Sequence, residues 1–183
     1  MKRNEVDRSK LSPMMKHYVE LKDKYEDTII LYRLGDFYEM FFEDAEVVAH
    51  TLELTLTGKS AGLDERVPMC GIPHHASEVY IDKLIKAGFK VAICEQVEDP
   101  ATAKGLVKRE VVRIVTPGTN LDTTSMDETK NNYIMCIVYI DDRYGVSIAD
   151  VTTGEYLVTE VTESGKLFDE IYKFMPSELI CNE

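Results

Sequence analysis

The sequence predicts an α/β protein in two parts, on the basis of three observations. Apolar segments rich in β-branched residues alternate with amphipathic segments of helical period as far as about residue 115. A polar stretch rich in turn-forming residues follows at 116–132 and is typical of a linker. Beyond it, three apolar segments with short connections indicate an antiparallel meander.

The first helix and the first strand have clear signals. Ser12 and Pro13 combine a preferred N-cap residue with proline at the first helical position. The inner side of this helix is predicted to carry Met15, Val19 or Tyr18, Leu21 and Tyr25. The segment TIILYRL (28–34) is rich in large apolar residues and predicts a buried strand.

The segment GDFYEMFFEDA (35–45) mixes aromatic and acidic side chains where this strand gives way to a second helix. Helical spacing of the apolar residues places the helix start near Met40 or Phe41, with GDFYE as the end of the strand. The inner stripe of the helix would be Phe41, Ala45, Val48, Ala49 and Leu52. Its solvated acidic side, suited to the positive end of the helix dipole, would be Glu43, Asp44 and Glu46.

An extended GDFYE would place Phe37 and Glu39 side by side on one face of the strand. Tyr38 would lie on the opposite face, in the core. Composition alone leaves two interpretations open for Phe37. It could be a core residue next to a solvated Glu39, or it could be an exposed aromatic that contacts a ligand.

The remaining elements of the first part are shorter. LELTLTG (52–58) predicts a short strand, and VPMCGIPHHA (67–76) is predicted to be irregular because two prolines and a glycine interrupt it. An amphipathic helix is predicted over 76–88, ending at Gly88, with Val79, Tyr80, Leu84 and Ile85 inward. KVAICEQV (90–97) and REVVRIV (109–115) predict strands.

The second part is predicted to contain three strands, one helix and the start of a fourth strand. The strands lie within 133–142, 144–154 and 155–161, the helix covers 164–174, and PSELI begins the last strand. The sequence stops as that strand would enter a sheet, so we expect a truncated fold.

Composition narrows the functional classes. No apolar run approaches the length of a membrane span, and residues 1–24 are too charged for a secretory signal. The four cysteines have no CxxC spacing and predict reduced thiols in a cytoplasmic protein. No GxxxxGK[ST] loop occurs, which argues against nucleoside triphosphate binding by that route.

The formal charge of −12 argues at first against a nucleic-acid partner. The charge is unevenly distributed, however. Residues 1–118 hold 17 Lys and Arg against 20 Asp and Glu, a balance of −3, and the other 65 residues hold 4 against 13, a balance of −9. Basic residues cluster at 104–113, so the first part could still present a positive surface to DNA.

Three groups of side chains could bind metals, and each has a simpler interpretation. Asp36, Glu39, Glu43 and Asp44 could hold a divalent ion, but strand and helix geometry turns them in different directions. His74 and His75 with Cys70 suggest zinc, but adjacent histidines diverge and no second ligand pair follows. Asp150 lies at a strand end before Thr-Thr-Gly, as a metal-binding Asp does in ribonuclease-H-like nucleases, and is more simply a turn residue.

Five segments in order and spacing resemble the N-terminal part of the MutS family of DNA mismatch-recognition proteins. They are YRLGDFYEMFFEDA, PMCGIPHHA, VAICEQVEDP followed by TAKG, VVRIVTPGT and ADVTTGE. The resemblance implies a mixed-sheet mismatch-binding domain at 1–116 and a linker at 117–131. A truncated connector domain would follow at 132–183, with a ribonuclease-H-like fold that is not a nuclease.

The resemblance also implies roles for individual residues. The Phe-x-Glu motif of the family matches Phe37 and Glu39: Phe37 would enter the minor groove and stack on a mispaired base, kinking the DNA. The Glu39 carboxylate would be repelled by phosphates and would gain only where an unpaired base edge offers a hydrogen bond, either N–H to the carboxylate or, if Glu39 is protonated, O–H to a ring nitrogen. Contacts to the DNA backbone are predicted for Arg33, Lys59, Lys104, Lys108 and Arg109.

The resemblance implies partners as well. Mismatched double-stranded DNA is the expected ligand, and the repair protein MutL is expected to bind the connector domain. ATP and Mg²⁺ binding and homodimer formation would belong to domains outside this chain. The chain itself is expected to be a monomer without catalytic activity, metal or cofactor, to bind DNA weakly and to have no contact with membranes. A metal-dependent nuclease built on Asp150, or a module that binds only proteins, remains the alternative.

Overall fold

A computed structural model describes residues 1–98, 103, 105–120 and 131–182. The chain divides into two compact units, Met1–Val115 and Thr116–Glu183. Each unit contains one sheet with both parallel and antiparallel pairs, accompanied by three α-helices in the first unit and one in the second among the described residues. The predicted α/β class with mixed sheets is therefore confirmed. The predicted linker at 117–131 falls largely outside the described residues.

The first unit is built around a six-stranded sheet. The elements in chain order are α1 Pro13–Lys24, β1 Thr28–Leu34, β2 Phe37–Phe41, α2 Phe42–Thr51, β3 Thr57–Lys59, β4 Val67–Pro73, a 3-10 turn His74–Ala76, α3 Ser77–Lys86, β5 Lys90–Gln96 and β6 Arg109–Val115. The strand order in the sheet is β3-β4-β2-β1-β5-β6, with β1 and β5 parallel and the other neighbouring strands antiparallel.

Helices pack against both faces of this sheet. Helix α1 supplies Met15, Tyr18 and Val19 to a cluster on one face, and α2 and α3 pack on the other. The start of α1 is as predicted, because the Ser12 side chain accepts a hydrogen bond from the Met15 N–H at 3.4 Å and Pro13 is the first helical residue. Strands β1 and β6 also match their predicted bounds.

The segment 35–45 differs from its prediction in three ways. GDFYE is not the end of β1: Gly35 and Asp36 form a tight turn, and Phe37–Phe41 is a separate antiparallel strand. The following helix begins at Phe42 rather than at Met40 or Phe41. Asp44, predicted to be solvated, is only 4% exposed and forms an ion pair of 2.9 Å with the buried Lys22.

Three other predictions for the first unit are wrong. The segment expected to be irregular contains β4, which lies between β2 and β3 and gives both of them a hydrogen-bonding partner. The strand predicted over 52–58 is only Thr57–Lys59. Val79, predicted to face inward, is 61% exposed, and Ile81 takes the buried position on α3.

The second unit has a four-stranded sheet of order β10-β7-β8-β9, and the predicted meander is confirmed. Its elements are β7 Tyr133–Ile140, β8 Arg143–Asp150, β9 Glu155–Val161, α4 Ser164–Phe174 and β10 Glu178–Cys181. Strand β10 pairs in parallel with β7. No helix in the described part of the chain is both long and apolar enough to cross a bilayer.

Candidate nucleic-acid interface

The tip of the β1–β2 hairpin presents Phe37 to solvent. Leu34 pairs with Phe37 across a two-residue turn. The first residue of this turn, Gly35, has φ +58°, a conformation that residues other than glycine rarely adopt. The His74 N–H donates to the Asp36 carbonyl at 2.9 Å and ties the turn to the segment after β4. The position of Phe37 is therefore set by the backbone on both sides.

Alternation along β2 separates Phe37 from the core. Tyr38 and Met40 are buried on the face covered by α2 and α3, as predicted for Tyr38. Phe41 is buried on the opposite face, under Tyr18 of α1. Phe37 and Glu39 lie on that same face beyond the cover of the helix, and Phe37 is 48% exposed. The interpretation of Phe37 as a core residue is thus wrong.

Glu39 forms an ion pair with Lys59 of the edge strand β3. The two side chains are 16% and 31% exposed, and the Lys59 ammonium also lies 5.7 Å from the centre of the Phe41 ring. Gly71 of β4 lies directly opposite Glu39, and a Cβ there would be 3.6 Å from the Glu39 Cγ. Because Gly71 has no side chain, Lys59 of β3 can reach Glu39 of β2 across β4.

A polar cluster on the other face of the sheet supports the hairpin. The Tyr38 hydroxyl donates to Glu95 of β5, and Arg33 and His74 lie 3.7 Å and 3.8 Å from the same carboxylate. Sequence reasoning did not predict this role for Glu95, because it lies 57 residues from Tyr38 on a strand two places away in the sheet. The cluster fixes the position of Tyr38, the residue between Phe37 and Glu39 in the sequence of β2.

The predicted basic contacts are not brought to one surface. Arg33 lies on the Tyr38 face, and its Nε donates to the Gly35 carbonyl. Arg109 is only 7% exposed and donates to the carbonyls of Arg33 and Val107 at 2.8 and 2.7 Å, so it is a structural residue and not an available phosphate ligand. Lys108 is exposed and pairs with Glu110 at 2.6 Å. Lys104 lies outside the described residues.

Comparison with known families assigns both units. Residues 12–124 match the family model described as MutS domain I, and residues 132–183 match MutS domain II. The chain belongs to the MutS family. This confirms the resemblance inferred from the five sequence segments.

Similar proteins carry the same family name. The chain is 64% identical over 174 residues to the DNA mismatch repair protein MutS of Lachnoclostridium phytofermentans, 59% identical over 175 residues to that of Acetivibrio thermocellus and 57% identical over 176 residues to that of Caldanaerobacter subterraneus subsp. tengcongensis. These matches cover 94–95% of this chain but only 19–20% of each relative. The chain thus spans about a fifth of the length of these MutS proteins.

The three possible metal sites in this MutS-family chain do not form among the described residues, where no group of three or more His, Cys, Asp and Glu side chains is arranged to hold an ion. The Asp44 carboxylate forms an ion pair with Lys22. Cys70 is buried, and burial raises the pKa of its thiol to about 12. Its Sγ donates to the Ala45 carbonyl at 3.4 Å.

Asp150 uses its carboxylate to fold the turn after β8. It is 1% exposed and accepts hydrogen bonds from the Thr152 N–H and hydroxyl, at 2.8 and 2.6 Å, and from the N–H groups of Thr153 and Asn132. Burial raises the pKa of Asp150, but these hydrogen bonds outweigh it and leave the pKa below its ordinary value. The arrangement is that of a turn residue, as the sequence favoured.

We expect Asp150→Ala to destabilise the second unit by about 1–3 kcal/mol, because it leaves buried N–H groups without acceptors. Since the folded carboxylate binds its proton more weakly than the unfolded one, its contribution is present above the unfolded pKa and lost as pH falls through the folded pKa. Thermal melts between neutral and acidic pH would test this. Asp150→Asn should lose the part of the pH dependence that Asp150 contributes. A melting temperature raised by Mg²⁺ in wild type but not in Asp150→Asn would instead indicate a metal ligand.

Proposed function

We propose that the β1–β2 hairpin recognises mismatched or unpaired bases in double-stranded DNA. Phe37 enters the minor groove at the mispaired step, and the duplex kinks around it. The observation that carries the proposal is the half-exposed Phe37 at a rigid hairpin tip, beside Glu39 on the same face. Membership of the MutS family, whose relatives are named DNA mismatch repair proteins, supports it.

The energetics of insertion favour a mismatch over a matched step. Opening a base step costs a few kcal/mol, and a mispaired step is already poorly stacked and easily deformed. Stacking of a base on an aromatic ring returns about 1–3 kcal/mol and does not depend on which base it is. Phe37 therefore senses how easily the duplex opens, and one side chain serves many kinds of mismatch.

Glu39 contributes selectivity through its charge. A carboxylate placed next to the DNA backbone is repelled by phosphates on every sequence. A Watson–Crick edge can return a hydrogen bond to it only where the base is unpaired, since those edges of a matched pair already bond to each other. Glu39 therefore weakens binding to matched duplex more than binding to a mismatch.

The direct test compares the wild-type chain on a G·T duplex and on its G·C match, by fluorescence anisotropy at low salt. We expect the G·T duplex to bind more tightly, with weak binding overall. Equal affinity for the two duplexes would contradict the proposal. Nanomolar affinity at physiological salt would contradict the expectation that this segment alone binds weakly.

Glu39→Ala should tighten binding to the G·C duplex by about fivefold, since removal of one charge near phosphates is worth on the order of 1 kcal/mol. Binding to the G·T duplex should change less, because the lost hydrogen bond offsets the lost repulsion. Glu46→Ala removes an exposed carboxylate from α2 and serves as the matched control. If Glu39→Ala tightened both duplexes equally, the selective role of Glu39 would be wrong.

For a longer protein that contains this segment, we propose the other family roles. They are initiation of mismatch repair, ATP and Mg²⁺ binding, homodimer formation and contact of the second unit with MutL. Family membership supports all four. We expect no Mg²⁺-dependent cleavage of a labelled duplex by this chain, given the hydrogen bonds that occupy Asp150.

A further inference from the structure

The carboxylate assigned to selectivity is not free in the protein without DNA. Lys59 crosses from β3 to pair with Glu39, and both side chains are partly withdrawn from solvent. This ion pair reduces the repulsion between Glu39 and phosphates. At the same time Lys59 has its charge directed at a carboxylate of the protein. The selectivity of Glu39 must therefore depend on what Lys59 does.

We propose that Lys59 is a specificity-determining residue that exchanges partners when a mismatch is recognised. In the free protein and on matched duplex it stays on Glu39. At a mismatch, Glu39 bonds to the unpaired base and Lys59 moves to a backbone phosphate. This inference rests on the proposed function of the hairpin and adds a mechanism by which base recognition strengthens the hold on the backbone.

The position of Lys59 suits such an exchange. It ends a three-residue strand at the edge of the sheet and is followed by an exposed residue, Ser60. The Lys59 side chain is 31% exposed and contacts Glu39, which lies on the face that carries Phe37. Lysine holds its charge on a flexible four-carbon stem and can turn from one anion to another without backbone movement.

Charge balance makes the exchange conditional. If Lys59 left Glu39 on a matched duplex, the carboxylate would remain close to phosphates with no partner. That uncompensated repulsion opposes the gain from the new phosphate contact. A base edge that donates to Glu39 removes the conflict. The contact between Lys59 and the phosphate is thus coupled to the presence of an unpaired base.

Salt dependence of binding counts such contacts. Each phosphate neutralised by a Lys or Arg adds about 0.9 to the slope of log affinity against log salt concentration. We expect the wild-type slope to be steeper by about 0.9 on G·T than on G·C, which is about eightfold in relative affinity over a tenfold salt range. Lys59→Met should lower the G·T slope by that amount and leave the G·C slope unchanged.

Glu39→Gln supplies an independent arm of the same experiment. With the carboxylate removed, Lys59 is free to contact phosphate on either duplex, so the G·C slope should rise to the G·T value. Adding Lys59→Met to Glu39→Gln should return both slopes to the low value. This arm keeps the test decisive even if Lys59→Met folds poorly. The control is Lys90→Met, which removes a lysine paired with Asp27 at 2.9 Å near the opposite end of β1.

The outcomes separate this inference from the function on which it rests. Equal lowering of both slopes by Lys59→Met would mean a permanent phosphate contact, and no change in either would mean a purely structural ion pair. Both results overturn the exchange. If wild type instead shows no preference for the G·T duplex, the function proposed for the hairpin is what fails.

Discussion

Replacing Phe37 with alanine is expected to abolish the preference of this chain for mismatched DNA. The variant loses about 1–3 kcal/mol of stacking, so affinity for a G·T duplex should fall by about 5- to 150-fold. Affinity for the G·C duplex should change little, because Phe37 does not insert there. Binding isotherms on the two duplexes, measured side by side, provide the test. A Phe37→Ala variant that still preferred G·T would rule out the wedge.

Two further variants make the result specific. Phe168→Ala removes a phenylalanine that is 57% exposed in the second unit, so it matches the loss of exposed aromatic surface without touching the hairpin. Phe37→Leu retains an apolar wedge and loses the aromatic ring, which separates insertion from stacking. Because Phe37 is half exposed, Phe37→Ala should lower the free energy of unfolding by no more than about 1.5 kcal/mol. Lost discrimination then reports on recognition and not on folding.

Asp44→Ala is expected to cause a large loss of stability in the first unit, about 3–5 kcal/mol. Asp44 is 4% exposed and binds Lys22 at 2.9 Å, the Ile30 N–H at 3.1 Å and the Tyr18 hydroxyl at 3.1 Å. Its removal leaves a lysine that is 7% exposed without its counter-charge. Chemical denaturation followed by circular dichroism would measure the change in the free energy of unfolding.

Two comparisons accompany this measurement, a variant that breaks a surface ion pair and a double variant that removes both charges of the buried pair. Asp27→Ala breaks the Lys90 ion pair, whose side chains are 43% and 73% exposed, and should cost less than about 1 kcal/mol. Asp44→Leu combined with Lys22→Met removes both buried charges and should recover much of the stability lost in Asp44→Ala. If Asp44→Ala behaved like Asp27→Ala, the buried pair would not be holding α1 and α2 to the sheet.

Local patterns predicted most of the elements, and the errors share a cause. Helical periodicity contains no information about the lysine on another helix that Asp44 contacts. Acidic residues in the first turn of a helix are usually solvated, so Asp44 was wrongly predicted to be exposed. Prolines and glycine made 67–76 look irregular, but β4 is held by its two neighbours, which supply the backbone hydrogen bonds that local propensity could not guarantee.

For the candidate interface, alternation along a strand is a local property and was sufficient to place Phe37 and Glu39 on one face, while the resemblance to the MutS family singled them out as candidate site residues. The family could also be assigned from the sequence. The tertiary structure decided which charges are available. Lys59 on β3 forms an ion pair with Glu39 on β2, and the Tyr38 hydroxyl donates to Glu95 on β5, in each case with one strand between the two residues. Arg109 donates to the carbonyl of Arg33, which is 76 residues away in the sequence. These pairings depend on strand order and register, which arise only when distant segments pack into one sheet.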